Sequence, residues 1–251
     1  HDTDTTVNDL FALTVGERID FLLEDDDRFG EGRIDAFRYG GKENASAVIE
    51  TLNSMFKKNL WDSKIWHAGL TGLAECGDDH WSSVATLVSE APDELYSEEG
   101  WAISWWARKA VVPEGVGSDG EACFWLIAER LVKQNGPQDF DFDEDTDAVN
   151  KAINNPVGIM AEAILDRLGK YKLAVDGGIP SRQPLSVLNI LIDGVGDGYS
   201  LGRVVLCSRL SYFYSIDQAW SKDKLLPLLA VESHRELIGY WQGYLWSPRV
   251  T

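Results

Sequence analysis

Basic residues are scarce in this chain. So are cysteine, histidine and every short motif that would mark a catalytic centre. Lysine and arginine number 23 against 41 aspartates and glutamates, a net charge of −18. The deficit is uneven, because residues 1–150 hold 32 acids and 12 bases while residues 151–251 hold 9 and 11. A surface of that sign repels nucleic acid and acidic membranes at long range. Solubility is its ordinary meaning; an acidic docking face for a basic partner and imitation of DNA are the sharper ones. The three cysteines, Cys76, Cys123 and Cys207, stand far apart at no metal-ligand spacing. Each lies in an apolar helical segment, the pattern of reduced, buried thiols in a cytoplasmic protein, and no metal or cofactor is expected. No run of 18 apolar residues and no signal peptide is visible.

Phosphate-binding and hydrolytic signatures are missing too. The turn Gly194-Val195-Gly196-Asp197-Gly198 puts Tyr199 where a dinucleotide fingerprint needs its last glycine, and it follows a helix instead of a strand. Gly41-Lys42 and Gly169-Lys170 lack both the earlier glycine and the following Ser or Thr of a P-loop. Neither G-x-S-x-G nor H-E-x-x-H occurs. Almost no stretch alternates apolar and polar residues as a half-buried strand does.

What the chain does have is helical periodicity and aromatic bulk. It is 44% hydrophobic with ten tryptophans, enough to bury a sizeable core. Ser200 to Trp220 is apolar nearly all round a helical wheel, so the remaining helices must wrap it; Ser200 is its expected cap and Asp217 its end. Residues 1–13 read as a frayed segment and 14–251 as one helical domain, with a possible sub-boundary at the acidic stretch 136–147. Thr14 to Glu17 is a capping box, and residues 29–41, with four glycines, read as loop. Ala45, Val48, Ile49, Leu52 and Phe56 keep a helical spacing. Gly69 and Gly72 on the inner face of the next helix predict close helix–helix approach. Ser97 reads as the cap of a helix through Val112, and Asn155-Pro156 as a cap with proline at the first helical position. The tally is roughly twelve helices joined by short polar turns. The expected fold is all-α: stacked antiparallel helical hairpins, as an irregular HEAT- or armadillo-like α-solenoid or a compact helical bundle. No fixed repeat period is found.

Candidate sites are few. Asp139-x-Asp141-x-Asp143 resembles a calcium loop, but neither register supplies the glycine and glutamate that an EF-hand requires, so a solvated acidic loop is the better reading. His67, His80 and His234 have no catalytic partner nearby in sequence, and a histidine at a helix start is usually a cap. At the C-terminus, Leu237, Tyr240, Trp241 and Tyr244 share a helical face, with Gly239 and Gly243 placed to admit another backbone. Core packing against the Ser200 helix explains such a stripe; a partner-binding anchor made of Trp241, Tyr244, Trp246 and Arg249 is the functional alternative.

The string Trp241-Gln242-Gly243-Tyr244-Leu245-Trp246-Ser247-Pro248-Arg249, together with Asn155-Pro156-Val157-Gly158 and its helix, resembles the helical C-terminal region of large bacterial sirtuin-like, NAD-cleaving antiphage defence proteins. The resemblance covers about residues 140–251 and carries no catalytic residue over. It implies a sensor or regulatory segment that recognises a phage component or a neighbouring subunit. The chain opens at His1 without an initiator Met and is read as an excised piece of a longer polypeptide. The leading expectation is therefore a non-catalytic recognition domain binding a protein partner or a sister domain. The rivals are an enzyme with an acid/histidine site between helices and an acidic DNA mimic.

Overall fold

A computed structural model describes residues 3–24, 30–76, 80–109, 118–140, 147–180 and 182–246, and every element among them is helical. The described residues form 16 α-helices where roughly twelve were expected, several of them shorter than expected. The chain divides into two compact units, residues 1–124 and 125–251. The division falls inside a continuous helix, Ser118–Asn135, upstream of the acidic stretch 136–147.

The first unit contains α1 (Thr3–Ala12), α2 (Val15–Leu23), α3 (Gly30–Gly40), α4 (Ala45–Lys57), α5 (Ser63–Leu73), α6 (Trp81–Glu90), α7 (Asp93–Glu98) and α8 (Gly100–Lys109). Helix α1 packs on α3, α3 on α5 and α5 on α8, while α2 packs on α4 and α4 on α6. Helices α2 and α3, and α4 and α5, also touch as hairpins. Two rows joined by hairpins are the contact scheme of a helical stack. Residues 3–12, polar enough to read as frayed, form α1, which anchors itself through Leu10, 1% exposed.

Helix α3 replaces the loop expected at 29–41. Its glycines disfavour a helix by about 1 kcal/mol each, but Ala36 and Phe37 are fully buried and their burial outweighs that cost. Glycine also sets its packing. A Cβ on Gly72 would run into the Arg38 carbonyl of α3, and one on Gly69 would stand 3.3 Å from Phe37 Cε1 of α3 and 2.9 Å from Leu52 Cδ1 of α4, so α5 lies close to both neighbours as the two glycines predict. The Thr14–Glu17 capping box forms as expected. Ser97 does not cap a helix; its hydroxyl donates to the Asp93 carbonyl, and the chain breaks at Glu99 between α7 and α8.

The second unit holds most of α9 (Ser118–Asn135), then α10 (Ala148–Asn154), α11 (Pro156–Lys170), α12 (Gln183–Asp193), α13 (Asp197–Cys207), α14 (Leu210–Ile216), α15 (Gln218–Trp220), a π turn Ser221–Leu225, a 3₁₀ turn Leu226–Ala230 and α16 (His234–Trp246). Here the packing is radial. Helix α13 meets α10, α11, α12 and α16, and every residue from Gly198 to Cys207 is buried. The apolar-all-round pattern thus marks the central helix, although its limits differ from expectation. It starts at Asp197, and it breaks at Ser208–Arg209 because the last turn tightens. Ser208 N and Arg209 N bond three residues back, and Ser208 Oγ takes the Val205 carbonyl at 2.7 Å. Residues 221–230 form the π and 3₁₀ turns instead of a regular helix, since Pro227 has no N–H to continue an α-helical ladder.

Three buried arginines repeat one device that neither periodicity nor motif announces: each caps the C-terminal carbonyls of the preceding helix. Arg18 donates to Leu10 and Leu13 at the end of α1 (3.3 and 2.9 Å), and also to Ala47 and Thr51 of α4. Arg33 donates to the Phe21 and Glu24 carbonyls at the end of α2 and also to the Glu24 carboxylate. Arg203 donates to Leu191 and Gly194 at the end of α12. The last carbonyls of a helix have no intrahelical donor, and a guanidinium offers five.

Candidate functional site

Helix α16 carries the residues singled out from sequence, and its two sides differ in kind. The inner side is pinned. Gly243 lies against the Val204 backbone of α13 so closely that a Cβ would meet the carbonyl. Beside it, Glu236 Oε1 accepts from Ser200 Oγ (2.6 Å) and the Tyr240 hydroxyl (3.0 Å), and the same hydroxyl accepts from Arg203 Nη1 (3.0 Å). Arg235 pairs with Asp197 at 2.8 Å, and the Gln242 side chain accepts the Ala148 N–H that opens α10. Tyr240 is fully buried, and burial pushes its phenol up to about 12 even with the Arg203 charge pulling the other way. Each of these side chains is hydrogen-bonded or ion-paired to a residue of another element, so the cluster reads as a clamp that orients α16.

The outer side faces water. Trp241, Leu245 and Trp246 are 41, 60 and 49% exposed, and Tyr244 is half-buried with its ring edge-on to Trp241 at 5.7 Å. The structure therefore splits the expected four-residue stripe. Tyr240 goes inward with Gly239 and Gly243, while Trp241, one residue or about 100° further round the helix, goes outward. The sequence signal that could have separated them is the glycine pair, which marks the contact line. Trp241, Tyr244 and Trp246 are brought together on one helix; Arg249 lies outside the described residues.

The histidines separate as well. His80 sits at the N-cap of α6 without forming a side-chain cap bond, and His234 is exposed at the start of α16. His67 of α5 is different. Its Nδ1 lies 2.7 Å from Glu99 Oε2, and its ring stacks on Trp101 at 5.6 Å, with Trp101 on Trp105 at 5.4 Å and Lys109 Nζ 4.8 Å over Trp105. Glu99 is 32 residues away in sequence and sits at the break between α7 and α8, so no local motif could have paired them. Engaging Nδ1 with the Glu99 carboxylate orients the imidazole.

Among the described residues no group of three or more His, Cys, Asp or Glu could hold a metal ion. All three cysteines are free; Cys207 is buried, Cys76 and Cys123 only half so. Of the acidic stretch, 141–146 lie outside the described residues, and Asp147 caps α10 through Asn150 N. No described helix is long and apolar enough to cross a membrane. Comparison with protein-family models, curated proteins and solved structures finds no match.

Proposed function

We propose that this chain is a non-catalytic recognition module that binds a protein partner through the outer face of α16. The observation that carries the reading is the pairing of a pinned inner side with exposed Trp241, Leu245 and Trp246 on the same helix. A full tryptophan side chain offers roughly 200–250 Å², so the two leave roughly 100 Å² each in water and Leu245 a comparable area. Their summed exposed area is about 300 Å², the low end of the largest apolar patches on monomers, which are often functional. It is smaller than the ~800 Å² per partner of a stable interface, so it serves as the hot-spot centre of a larger contact. Tryptophan and tyrosine dominate such centres, and a helix held rigidly loses little entropy on binding.

In the setting implied by the sirtuin-like resemblance, the partner is a phage component or a neighbouring subunit, and the effector chemistry belongs to another domain. The test is affinity capture from infected and uninfected lysates by wild type and by a Trp241→Ser, Leu245→Ser, Trp246→Ser variant with an unchanged circular dichroism spectrum. A protein retained by the first and lost by the second supports the proposal. Equal retention of every captured protein sinks it.

One observation favours a second reading. The His67–Glu99 contact supplies an oriented base, as an enzyme would need. Turnover of any substrate that disappears in His67→Ala would displace the recognition reading.

A further inference from the structure

A cleft of about 530 Å³ opens where residues 139–140, α10, the start of α11 and α13 meet. Its apolar lining is Leu201, Pro156 and the half-buried Phe140, whose backbone N–H is tied to Asp197 Oδ2 of α13 at 3.2 Å. Asn150, Lys151, Asn154 and Asn155 supply the polar lining at helical spacing, so one side of α10 carries all of it except Asp139. These side chains orient one another and still leave groups unused. The Asn154 amide donates to the carbonyl and Oδ1 of Asn150, both at 2.9 Å, which leaves Asn154 Oδ1 and Asn150 Nδ2 over. Asn155 Oδ1 caps α11 by accepting from Val157 N at 2.9 Å, which commits the oxygen and leaves Nδ2. Asn155 is only 5% exposed, yet that Nδ2 has no acceptor among the described residues. It is also not sealed from solvent, and the cleft is the surface that Asn155 lines. A buried amide donor without an acceptor is rare, and one at the wall of a cleft points to a ligand. Asp139 and Lys151 carry opposite charges and pair with nothing among the described residues.

We propose that this cleft binds a neutral sugar ring, free or at the end of a glycan. Every sugar hydroxyl both donates and accepts, so a pyranose needs donors and acceptors side by side. The lining offers Asn150 Nδ2, Asn155 Nδ2 and Lys151 Nζ as donors, with Asn154 Oδ1 and the Asp139 carboxylate as acceptors. The negative face of the Phe140 ring suits the weakly positive C–H face of the sugar. One carboxylate and one ammonium cancel, so a charged ligand gains no net attraction over a neutral one. At about 30 Å³ per water, the cleft has room for a pyranose with its hydroxyls and a first substituent. It shares no residue with the outer face of α16 and does not depend on that reading.

The test is ligand-observed NMR and thermal-shift titration of the full chain with glucose, galactose, mannose, N-acetylglucosamine and N-acetylgalactosamine. Each is run beside its methyl glycoside and its 6-phosphate, with adenosine as an aromatic control. At least one neutral sugar should bind saturably and at least tenfold tighter than its 6-phosphate or adenosine. Equal affinity of its methyl glycoside identifies a glycan end, and loss of affinity identifies a free sugar. Asn155→Asp keeps an oxygen to cap α11 and removes only the Nδ2 donor, so it should melt like wild type and bind tenfold or more weakly. Phe140→Ala should weaken binding tenfold and Asp139→Ala about threefold. Phe140 and Asp139 lie outside the helices, so their variants test the assignment even if Asn155→Asp disturbs α11. Absence of binding by every sugar, equal or tighter binding of the 6-phosphate or adenosine, or wild-type affinity in both Asn155→Asp and Phe140→Ala would overturn the proposal.

Discussion

Replacing Gly243 by alanine places a methyl group where the Val204 carbonyl of α13 already sits, with the Val204 carbonyl carbon 2.9 Å and its Cγ1 3.1 Å away. The obstacle is backbone at the centre of the second unit, so it cannot rotate aside, and α16 has to lift by about 1 Å. Overpacking of this kind costs about 1–3 kcal/mol. Lifting the helix also stretches the Ser200–Glu236 and Arg203–Tyr240 hydrogen bonds, and bonds to charged groups contribute about 1.5–3 kcal/mol each. Against this, alanine favours the helix by about 1 kcal/mol. The expected net loss is about 2–4 kcal/mol. For a unit of this size each kcal/mol moves the melting temperature by roughly 3–5 °C, so a fall of about 10 °C or more is expected by circular dichroism. Gly169→Ala in α11 is the internal control. Nothing lies within 4 Å of its Cβ, so the same change should stabilise by about 0.5–1 kcal/mol. If urea unfolding put Gly243→Ala within 0.5 kcal/mol of wild type, or beside Gly169→Ala, the close approach of α13 and α16 would be refuted.

Alkaline pH should unfold the second unit. Tyr240 and Cys207 are each pushed up to about 12 by burial, above their unfolded values near 10 and 9. The stability this represents is complete below pH 9 and is lost as pH rises from there towards 12. Tyr240→Phe should flatten the dependence of melting temperature on pH above 9.5; an unchanged slope would contradict the assignment. In native protein a thiol reagent should leave Cys207 unmodified until denaturant is added, while half-buried Cys123 reacts, as peptide mapping would reveal. Arg203→Met should cost about 3–5 kcal/mol in urea unfolding, because Glu236 loses its counter-charge and the carbonyls at the end of α12 lose their donor; a loss under 1 kcal/mol would show the clamp to be ornamental. Trp241→Ser, by contrast, should change stability by no more than about 0.5 kcal/mol.

Some elements were legible before any coordinates. The Thr14 box, the Asn155-Pro156 start and the glycine contacts of Gly69 and Gly72 rest on local rules, and the structure contains each, while the apolar stretch Ser200–Trp220 marked the central helix but not its limits, Asp197–Cys207. The all-α class follows from the same 3.6-residue periodicity. The expectation of a stack or a bundle resolves by unit, with stacked rows in the first and a wrapped helix in the second. Helix α3 was illegible because its glycines oppose helix locally, and only burial of Ala36 and Phe37 outweighs them. The direction of Trp241 was illegible because an apolar stripe does not say which of its edges meets the core.

Local chemistry along the chain thus decides which segments coil, where most of them start, and which one must be surrounded. Contacts between segments distant in sequence decide the rest: the arginine caps, the Glu99 partner of His67, the clamp on α16 and the amide-lined cleft of α10, α11 and α13. The physical reason is range. Periodicity and capping act over about one helical turn, whereas burial and the pairing of buried polar groups depend on what the fold brings alongside.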